Sequence, residues 1–474
     1  MTEDNQDMSK NSLNGGQGWE ALLAEAHAEP EGLDFVEERL ENRIGLNKRK
    51  KRRKRAIYSS LSTVAAALVF VFLVNTNGAF AQTLSRLPVI GQLIEYIQFD
   101  KSLSRAIENE YIQEVDLTAW DGDKGLGLPY VLADAKNLVL FFQLPDDFEL
   151  AADEWAHIYL KEMREGRTGE KLEGFAYTTS SLSPEGREEN HGFIMQRYHF
   201  PEGELPEQIS FDVLLELENL PREKSEAPVG EFAEDAYEHQ MQEIGSFTFE
   251  VKFNEFAEPI VSEFHEQLSI RGQSITLEEM RVYPTGTEVS FAFADENTSW
   301  VKGLDLTVAE EGESVLRGSQ GISAIYKEDY SGMTVFIESD YFDKPKEQEL
   351  WIRGLRLLDK EEEFITVDLE KKTITPAIEG MELKEVIKGE EKANLVFATK
   401  VMGEEAFGAF AFDYQDEQGN TYSLKNMGTS SSQNSWMETH ITVDYPESGR
   451  IILQRVSSPL LILEEPIRIP LPQR

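Results

Sequence analysis

Few residues of this sequence have the types and spacings that catalysis or metal binding requires. The seven histidines include no pair at the helical spacing of a metalloprotease site, and neither a nucleophile elbow nor a phosphate-binding glycine loop occurs. The segment DGDKG at 121–125 resembles the start of a calcium-binding loop. Its fifth position is not acidic, however, and Leu132 stands where the bidentate glutamate of such a loop belongs. We therefore expect a plain turn there, and a protein with no metal, no cofactor and no enzymatic activity.

The amino-acid composition limits the compartment and the partners. Cysteine is absent, which excludes disulfides, thiol nucleophiles and cysteine-ligated zinc. An exported protein without disulfides is typical of a Gram-positive bacterium. The formal net charge is −41, and all of it falls after residue 55, because the eight basic residues at 48–55 cancel the net −8 of residues 1–47. Such an acidic exterior repels nucleic acid, so we expect no nucleic-acid partner.

The sequence around residue 55 predicts a protein that crosses the lipid bilayer once. An unbroken basic run ends at Arg55, and the next nineteen residues, 56–74, carry no charge. At about 1.5 Å per helical residue, this segment nearly crosses the roughly 30 Å hydrocarbon core of a bilayer. Basic residues stay on the cytoplasmic side, so the N-terminus is expected in the cytoplasm and the C-terminus outside. The residues that set this topology are Lys48, Arg49, Lys50, Lys51, Arg52, Arg53, Lys54 and Arg55.

The alternative to a membrane anchor is a cleaved signal peptide, since Ala79-Phe80-Ala81 resembles a cleavage site. However, 55 residues precede the apolar segment, which is itself longer than the core of a signal peptide. We therefore predict a basic cluster at 48–55, a transmembrane helix at 56–75 and membrane-proximal helices at 76–110.

The segment before the basic cluster predicts a docking site for a cytoplasmic protein. Residues 1–18 are polar and are expected to form a disordered tail, whereas 19–47 contain two amphipathic helical patterns. Neither helix can bury its apolar stripe alone, and their acidic polar faces argue against the inner leaflet as partner. Fraying disorder is the alternative. The predicted partner-binding side chains are Trp19, Leu22, Leu33, Phe35, Val36, Leu40 and Ile44.

The exterior is predicted to be mainly β. From about Tyr111 the apolar period changes to two, and turn residues separate short strands to the end of the sequence. Similar strands recur at 137–144, 288–294 and 394–400, and the strands expected to close the three units are 247–253, 364–369 and 467–471. Each unit has the size of an Ig-like β-sandwich. The predicted sandwich domains are 111–255, 256–371 and 372–474.

Part of the sequence resembles a known family. After the basic cluster and the apolar span come GAFAQTLSRLPVIGQLIEYIQFDKSLSRAIENEYIQEVD and a strand of the type DAKNLVLFFQL. This arrangement resembles the Gram-positive membrane family of domain of unknown function 4179 over about residues 33–250. The later units look like domain of unknown function 5643, which occurs in the same proteins.

The resemblance implies a regulatory function, because members of the family are often labelled negative effectors of extracytoplasmic-function sigma factors. The tail would hold such a sigma factor at the membrane. The exterior would sense the state of the envelope and release the sigma factor by conformational change or by proteolysis near residues 75–84. The zinc type of anti-sigma factor is excluded, since the chain has no cysteine. The alternative is a surface adhesion protein that binds a cell-wall or envelope ligand and uses its tail only as an anchor.

Overall fold

The computed structural model describes residues 92–473, with gaps at 94, 98, 146, 220–239, 317, 319–322, 344–346, 390–391, 403–405, 432–434 and 445–448. Within that part of the chain, no helix is both long enough and apolar enough to cross a bilayer. The disordered tail, cytoplasmic helices, basic cluster and transmembrane helix predicted for 1–75 lie outside the described residues, as does the first part, 76–91, of the predicted membrane-proximal helices.

The described residues are mainly β, as the sequence predicts. They form twenty-six strands in six sheets, and every strand pairing is antiparallel. Short α-helices accompany them, among them α1 (Lys101–Glu108) and α2 (Pro184–Glu189). The sheets pack in pairs around apolar cores, and we name each pair a sandwich. The assignment of these sandwiches to the Ig-like type stays a prediction.

The first sandwich shows how the alternating sequence builds a core. Strand β7 has the sequence QISFDVLLELEN, and every second side chain from Ile209 to Leu217 is buried. The two sheets have the orders β1-β2-β3-β6-β5 and β4-β7-β8. Their facing side chains, Phe142 and Phe211 among them, form one core. The strands are β1 (Gln113–Asp121), β2 (Lys124–Ala133), β3 (Asn137–Gln143), β4 (Glu154–Glu165), β5 (Ala176–Thr179), β6 (Phe193–His199), β7 (Gln208–Asn219) and β8 (Gln240–Lys252).

The second sandwich combines eight consecutive strands with the last strand of the sequence. Its sheets have the orders β14-β15-β11-β10-β9 and β13-β12-β16-β26. Its core includes Phe291, Leu350 and Ile469, so β26 contributes to it. The strands are β9 (Ile260–Ile270), β10 (Gln273–Tyr283), β11 (Gly286–Phe293), β12 (Ser299–Glu310), β13 (Glu313–Leu316), β14 (Ala324–Tyr326), β15 (Gly332–Ile337), β16 (Gln348–Asp359) and β26 (Leu460–Pro470).

The third sandwich lies between β16 and β26 in the sequence. Its sheets have the orders β18-β17-β25-β21-β22 and β19-β20-β24-β23, around a core that includes Val367, Phe397 and Leu453. A turn at 416–420 connects β21 to β22, with Gly419 at a φ of +83°. The strands are β17 (Phe364–Asp368), β18 (Thr373–Thr375), β19 (Met381–Lys388), β20 (Lys392–Lys400), β21 (Phe410–Asp416), β22 (Thr421–Ser423), β23 (Asn426–Ser431), β24 (Trp436–Asp444) and β25 (Arg450–Arg455).

The strand pairings differ from the predicted boundary between the second and third domains. We expected 256–371 and 372–474 to be separate units. Instead β17 pairs with β25 in the third sandwich, and β26 pairs with β16 in the second. The third sandwich is therefore inserted into the second, and the chain crosses between them at 360–363 and at 456–459. Both exchanged strands have an alternating apolar pattern, and such a pattern does not specify which sheet a strand completes.

The predicted threefold repeat is present in the strand order. Strands β3, β11 and β20 each lie between two neighbours in one sheet of their sandwich. In the other sheet, β8 lies beside β7, β26 beside β16, and β17 beside β25. The repeat is thus regular in space, although two of its strands have changed places along the chain.

Candidate functional site at the first interdomain junction

Helix α1 packs on the outer face of the first sandwich. Asp100 precedes the helix and caps it, because its Oδ1 accepts a hydrogen bond from the Leu103 backbone N–H at 3.0 Å. The apolar side of the helix, Leu103, Ala106 and Ile107, is buried. It covers side chains that point away from the sandwich core, namely Tyr130, Leu132, Val139, Phe141 and Phe193. The sheet therefore has both faces covered at this position.

The sequence of β3 records this double burial. Leu138, Leu140 and Phe142 point into the sandwich core, whereas Val139 and Phe141 lie beneath α1. All five are fully buried. We predicted an ordinary strand here, and the unbroken apolar run LVLFF is the signal for a second covered face.

A buried ion pair attaches the start of α1 to the first sandwich. Arg197 on β6 donates to Asp100, and the two side chains are only 9% and 8% exposed. Asp100 thus caps the first turn of α1 and also pairs with Arg197 on the sheet. Removing one member of such a pair typically costs about 3–5 kcal/mol, because the other charge remains buried without its partner. The position of α1 on the first sandwich is therefore strongly determined.

The other side of α1 contacts the second sandwich through residues 338–343, which we name the clamp loop. Ser102 Oγ accepts a hydrogen bond from the Ser339 backbone N–H at 2.7 Å. Arg105 donates to the carbonyl oxygen of Ser339 at 3.3 Å and forms an ion pair with Asp343 at 2.8 Å. One short helix is therefore bound by both sandwiches, and their relative position affects the contacts of α1.

A buried carboxyl group connects the two sandwiches directly. Asp134 follows β2, is fully buried, and accepts hydrogen bonds from the Thr285 backbone N–H at 3.2 Å and hydroxyl at 2.6 Å. It also accepts from the backbone N–H groups of Lys136 and Asn137, at 3.0 and 2.8 Å. Burial raises the pKa of Asp134, although these donors act in the opposite direction. The group thus joins the β2–β3 turn of the first sandwich to the β10–β11 turn of the second.

His199, the last residue of β6, faces the second sandwich. Its ring packs edge-on against Phe336, with the ring centroids 4.4 Å apart. Its Nδ1 lies 2.9 Å from Asn137 Oδ1, and its Nε2 lies 3.6 Å from Oε1 of Glu288 on β11. An amide oxygen only accepts, so Nδ1 carries the proton of the neutral ring. The lone pair of Nε2 then points toward the Glu288 carboxyl.

Burial shifts both of these groups toward their neutral forms. It raises the pKa of Glu288 to about 7, which Lys136 opposes and Asp134 reinforces. Burial lowers the pKa of His199 to about 4, and Lys136 adds to that effect. Between these values His199 is neutral, with its proton on Nδ1, and the one titrating proton of the pair is on Glu288. A neutral carboxyl facing the Nε2 lone pair is the favourable arrangement for two buried groups without opposite charges.

Two spaces border these contacts. A cavity of about 20 Å³, lined by Arg197, His199 and Phe336 among others, has room for about one water molecule. A cleft of about 580 Å³ lies between the two sandwiches and the connecting segment 253–259. Four carboxylates and two basic side chains line this cleft, which is therefore acidic: Glu204, Glu207, Glu255, Glu258, Lys136 and Arg281.

The site residues predicted from the sequence all lie outside the described residues. The partner-binding set is Trp19, Leu22, Leu33, Phe35, Val36, Leu40 and Ile44, and the topology set is 48–55. The expected turn at 121–125 is confirmed, since Asp121 pairs with Lys124 across Gly122, whose φ is +63°. Among the described residues, no three His, Asp or Glu side chains are grouped to hold a metal ion.

Sequence reasoning missed the residues of the junction. Asp100, Arg105 and His199 are single polar residues within otherwise ordinary helix and strand patterns. Arg105 and His199 have their partners in a different sandwich, and Asp100 pairs with Arg197, which is 97 positions away, so no local spacing relates them. Only a buried Arg, His or Glu at a strand position hints at such a role, and burial is not visible in one sequence.

Comparison with known proteins gives a family match for the start of this region. Residues 51–146 match the model of a family described as Domain of unknown function (DUF4179). No curated protein matches the sequence. A solved structure described as the crystal structure of the conserved domain protein from Bacillus anthracis is distantly similar, at 12% identity and a TM-score of 0.33. That similarity covers 56% of this chain and 84% of the other. The resemblance to domain of unknown function 5643 stays a prediction.

Proposed function

We propose that this chain is a single-pass membrane regulator of the anti-sigma-factor type, the function that the sequence resemblance to the DUF4179 family implies. The match of residues 51–146 to the model of that family supports the resemblance on which the proposal rests. In this proposal residues 56–75 span the cell membrane with the N-terminus in the cytoplasm. Residues 19–47 bind an extracytoplasmic-function sigma factor. The three sandwiches, of Ig-like type, act as an extracytoplasmic sensor.

The observation that supports a sensor is the double attachment of α1. Asp100 is paired with Arg197 of the first sandwich, and Arg105 is paired with Asp343 of the second. A change in the angle between the sandwiches cannot preserve both attachments. The helix would then move with one sandwich and leave the other.

The chain between α1 and the proposed membrane helix is short. Leu93 and Ile97 are buried in the same apolar cluster as α1, and Tyr96 stacks on Phe193 with centroids 6.0 Å apart. Only residues 76–91 therefore separate the proposed span from packed structure. Displacing the packed segment would change what the chain next to the proposed span is attached to, and a protease acting near residues 75–84 could respond to that change. This change is a route by which an outside signal reaches the membrane.

The proposed cytoplasmic contact has the right order of magnitude for a regulator. Burying an aliphatic or aromatic side chain is worth about 1.5–3 kcal/mol before ordering costs. The second tail helix contains five of the seven predicted partner-binding residues. Their burial would supply enough binding free energy for a micromolar or tighter complex: Leu33, Phe35, Val36, Leu40 and Ile44.

A transcription reporter for the partner sigma factor tests the proposed role of the junction. In cells that carry the full-length protein, Arg105→Glu should raise sigma-dependent transcription, because it replaces the ion pair with Asp343 by two like charges. Arg353→Glu is the matched control, since Arg353 pairs with Asp305 at 2.7 Å elsewhere in the second sandwich. Equal reporter output from both variants at equal protein levels would contradict the role of the junction.

The alternative, a surface adhesion or cell-wall-binding protein, predicts a different result. The reporter would not respond to any junction variant, and the full-length protein would bind purified peptidoglycan. Binding to peptidoglycan with no effect on transcription would therefore replace the regulator by the adhesion protein.

A further inference from the structure

Strand β26 pairs with its sheet in two separate parts. It lies at the edge of its sheet, with β16 as its neighbour. Residues 460–462 pair with 354–356, and pairing resumes only where 467–470 pair with 349–352. The residues between them, 463–466, form a bulge that includes two glutamates and a proline. Bulges, charges and proline are features that weaken or protect an edge strand.

The far end of β26 lies directly beneath the clamp loop. The Leu471 backbone N–H donates to the carbonyl oxygen of Gln348 at 2.9 Å. The side-chain amide of Gln348 in turn donates to Asp340 Oδ2 at 2.8 Å, and both residues are buried. Asp340 belongs to the clamp loop, next to Ser339, whose backbone binds Ser102 of α1. Three hydrogen bonds, linked through Gln348 and through the Ser339–Asp340 backbone, therefore lead from the end of β26 to α1.

We propose that β26 is a detachable strand that controls α1: when it leaves β16, the clamp loop loses its support and releases the helix. Cleavage in the crossing 456–459 would favour this event, because β26 would then be held only by its pairing with β16 and by its core contacts. Detachment would uncover Leu350, Ile352 and Leu355, which are fully buried, and would withdraw Ile469 from the core. The start of β16, whose Gln348 binds Asp340 of the clamp loop, would then lack its neighbouring strand and hold the loop less firmly. A role of this release in signalling depends on the proposed function. The coupling between β26 and α1 does not depend on it.

Hydrogen exchange of the full-length protein in detergent tests this coupling. One variant ends after Pro459, and a synthetic peptide of residues 460–474 is added back to it. We expect the amides of 101–108 to exchange at least about tenfold faster in this variant and to regain protection with the peptide. The amides of the third sandwich, β19 and β20 for example, should keep their protection.

A second variant tests the link without removing the strand. Gln348→Leu should accelerate exchange in 101–108 while β26 itself stays protected. Gln454→Leu is the matched control, because Gln454 Nε2 donates to Glu363 at 2.9 Å in the contact between the second and third sandwiches. This control should leave α1 unchanged.

Three results would overturn the proposal. In the first, the shortened chain keeps normal protection of 101–108. In the second, exchange accelerates throughout β9, β10 and β11 as much as in α1, which would make β26 an ordinary core strand. In the third, Gln348→Leu has no more effect on α1 than Gln454→Leu, and this arm decides the question if the shortened chain does not fold. No sigma factor is present, so failure here is distinct from failure of the proposed function.

Discussion

Replacing Glu288 with glutamine should make the first junction sensitive to acid, although the unmodified pair is balanced over the same range. When the junction is intact, the pKa of Glu288 is about 7 and that of His199 is about 4, so one proton resides on Glu288 between these values. When the junction is open, the ordinary values of 4.5 and 6.5 place one proton on His199 between them. Closing the junction therefore moves a proton from His199 to Glu288 without net uptake from pH 4.5 to 6.5, and the pair adds no pH dependence there.

The glutamine variant removes one side of this balance. His199 remains, with a pKa that is lower in the closed junction than in the open one. Acidification from pH 6.5 to 4.5 then favours the open, protonated state, at up to about 1.4 kcal/mol per pH unit and by about 2 kcal/mol in total, because the slope is smaller near each pKa. Burial of His199 is the main cause of its low pKa, and Glu288 is not among the causes, so the effect should persist without Glu288.

The converse variant, His199→Gln, should show the opposite slope. Glu288 alone has a pKa that is raised in the closed junction, so stability is greatest below pH 4.5 and falls as the pH rises toward 7. Asp134, whose pKa burial also raises, adds the same dependence to all three proteins. The comparison is therefore made as the difference from wild type. A constant loss from imperfect packing of either glutamine does not change a slope.

The assay is urea denaturation of the full-length protein in detergent, equilibrated at pH 4.5, 5.5 and 6.5. A hydrogen-exchange pulse at one fixed pH then reports unfolding of the first two sandwiches separately from the third. Opposite slopes for the two variants, relative to wild type, are expected. Parallel slopes would show that the two groups do not exchange a proton on closing, and would refute the reasoning.

The remaining predictions concern packing and the ion pair at α1. Arg197→Met should cost the first sandwich about 3–5 kcal/mol in urea denaturation, because it leaves Asp100 buried without its charge partner. Adding Asp100→Asn, which retains a capping side chain, should recover part of that loss, and an additive loss in the double variant would contradict this. Leu103→Ala should lower the free energy of unfolding by about 2–5 kcal/mol, because Leu103 is fully buried between α1 and the first sandwich. Phe99→Ala is its control, since Phe99 is 73% exposed and should change stability little.

Much of the fold could be predicted from the sequence because strand periodicity is a local property. The alternation in β7 and the turn at 416–420 each depend only on consecutive residues. The recurrence of similar strands at β3, β11 and β20 indicated three units. The exchange of β17 and β26 could not be predicted, because pairing with β25 or β16 depends on the two crossings of the chain. Those crossings are determined by tertiary packing.

The candidate site was harder to predict than the fold for the same physical reason. The clamp depends on contacts such as Ser102 with Ser339, which are separated by 237 positions in the sequence. A serine, an aspartate or an arginine at such a position has no periodic signature. The apolar run LVLFF in β3 was the one local signal that something covers the outer face of the sheet. The tail and membrane segments remain predictions from composition and pattern.

Capture of the partner from solubilised membranes tests the central claim most directly. Tagged full-length protein would be isolated from cells of a Gram-positive host together with its bound proteins, which mass spectrometry then identifies. The wild type and the variant Leu40→Asp/Ile44→Asp are compared, because the two aspartates place charge in the apolar stripe of the tail. An extracytoplasmic-function sigma factor retained by the wild type and lost from the variant is the predicted result. The same retained proteins in both samples, or no sigma factor in either, would contradict the regulator.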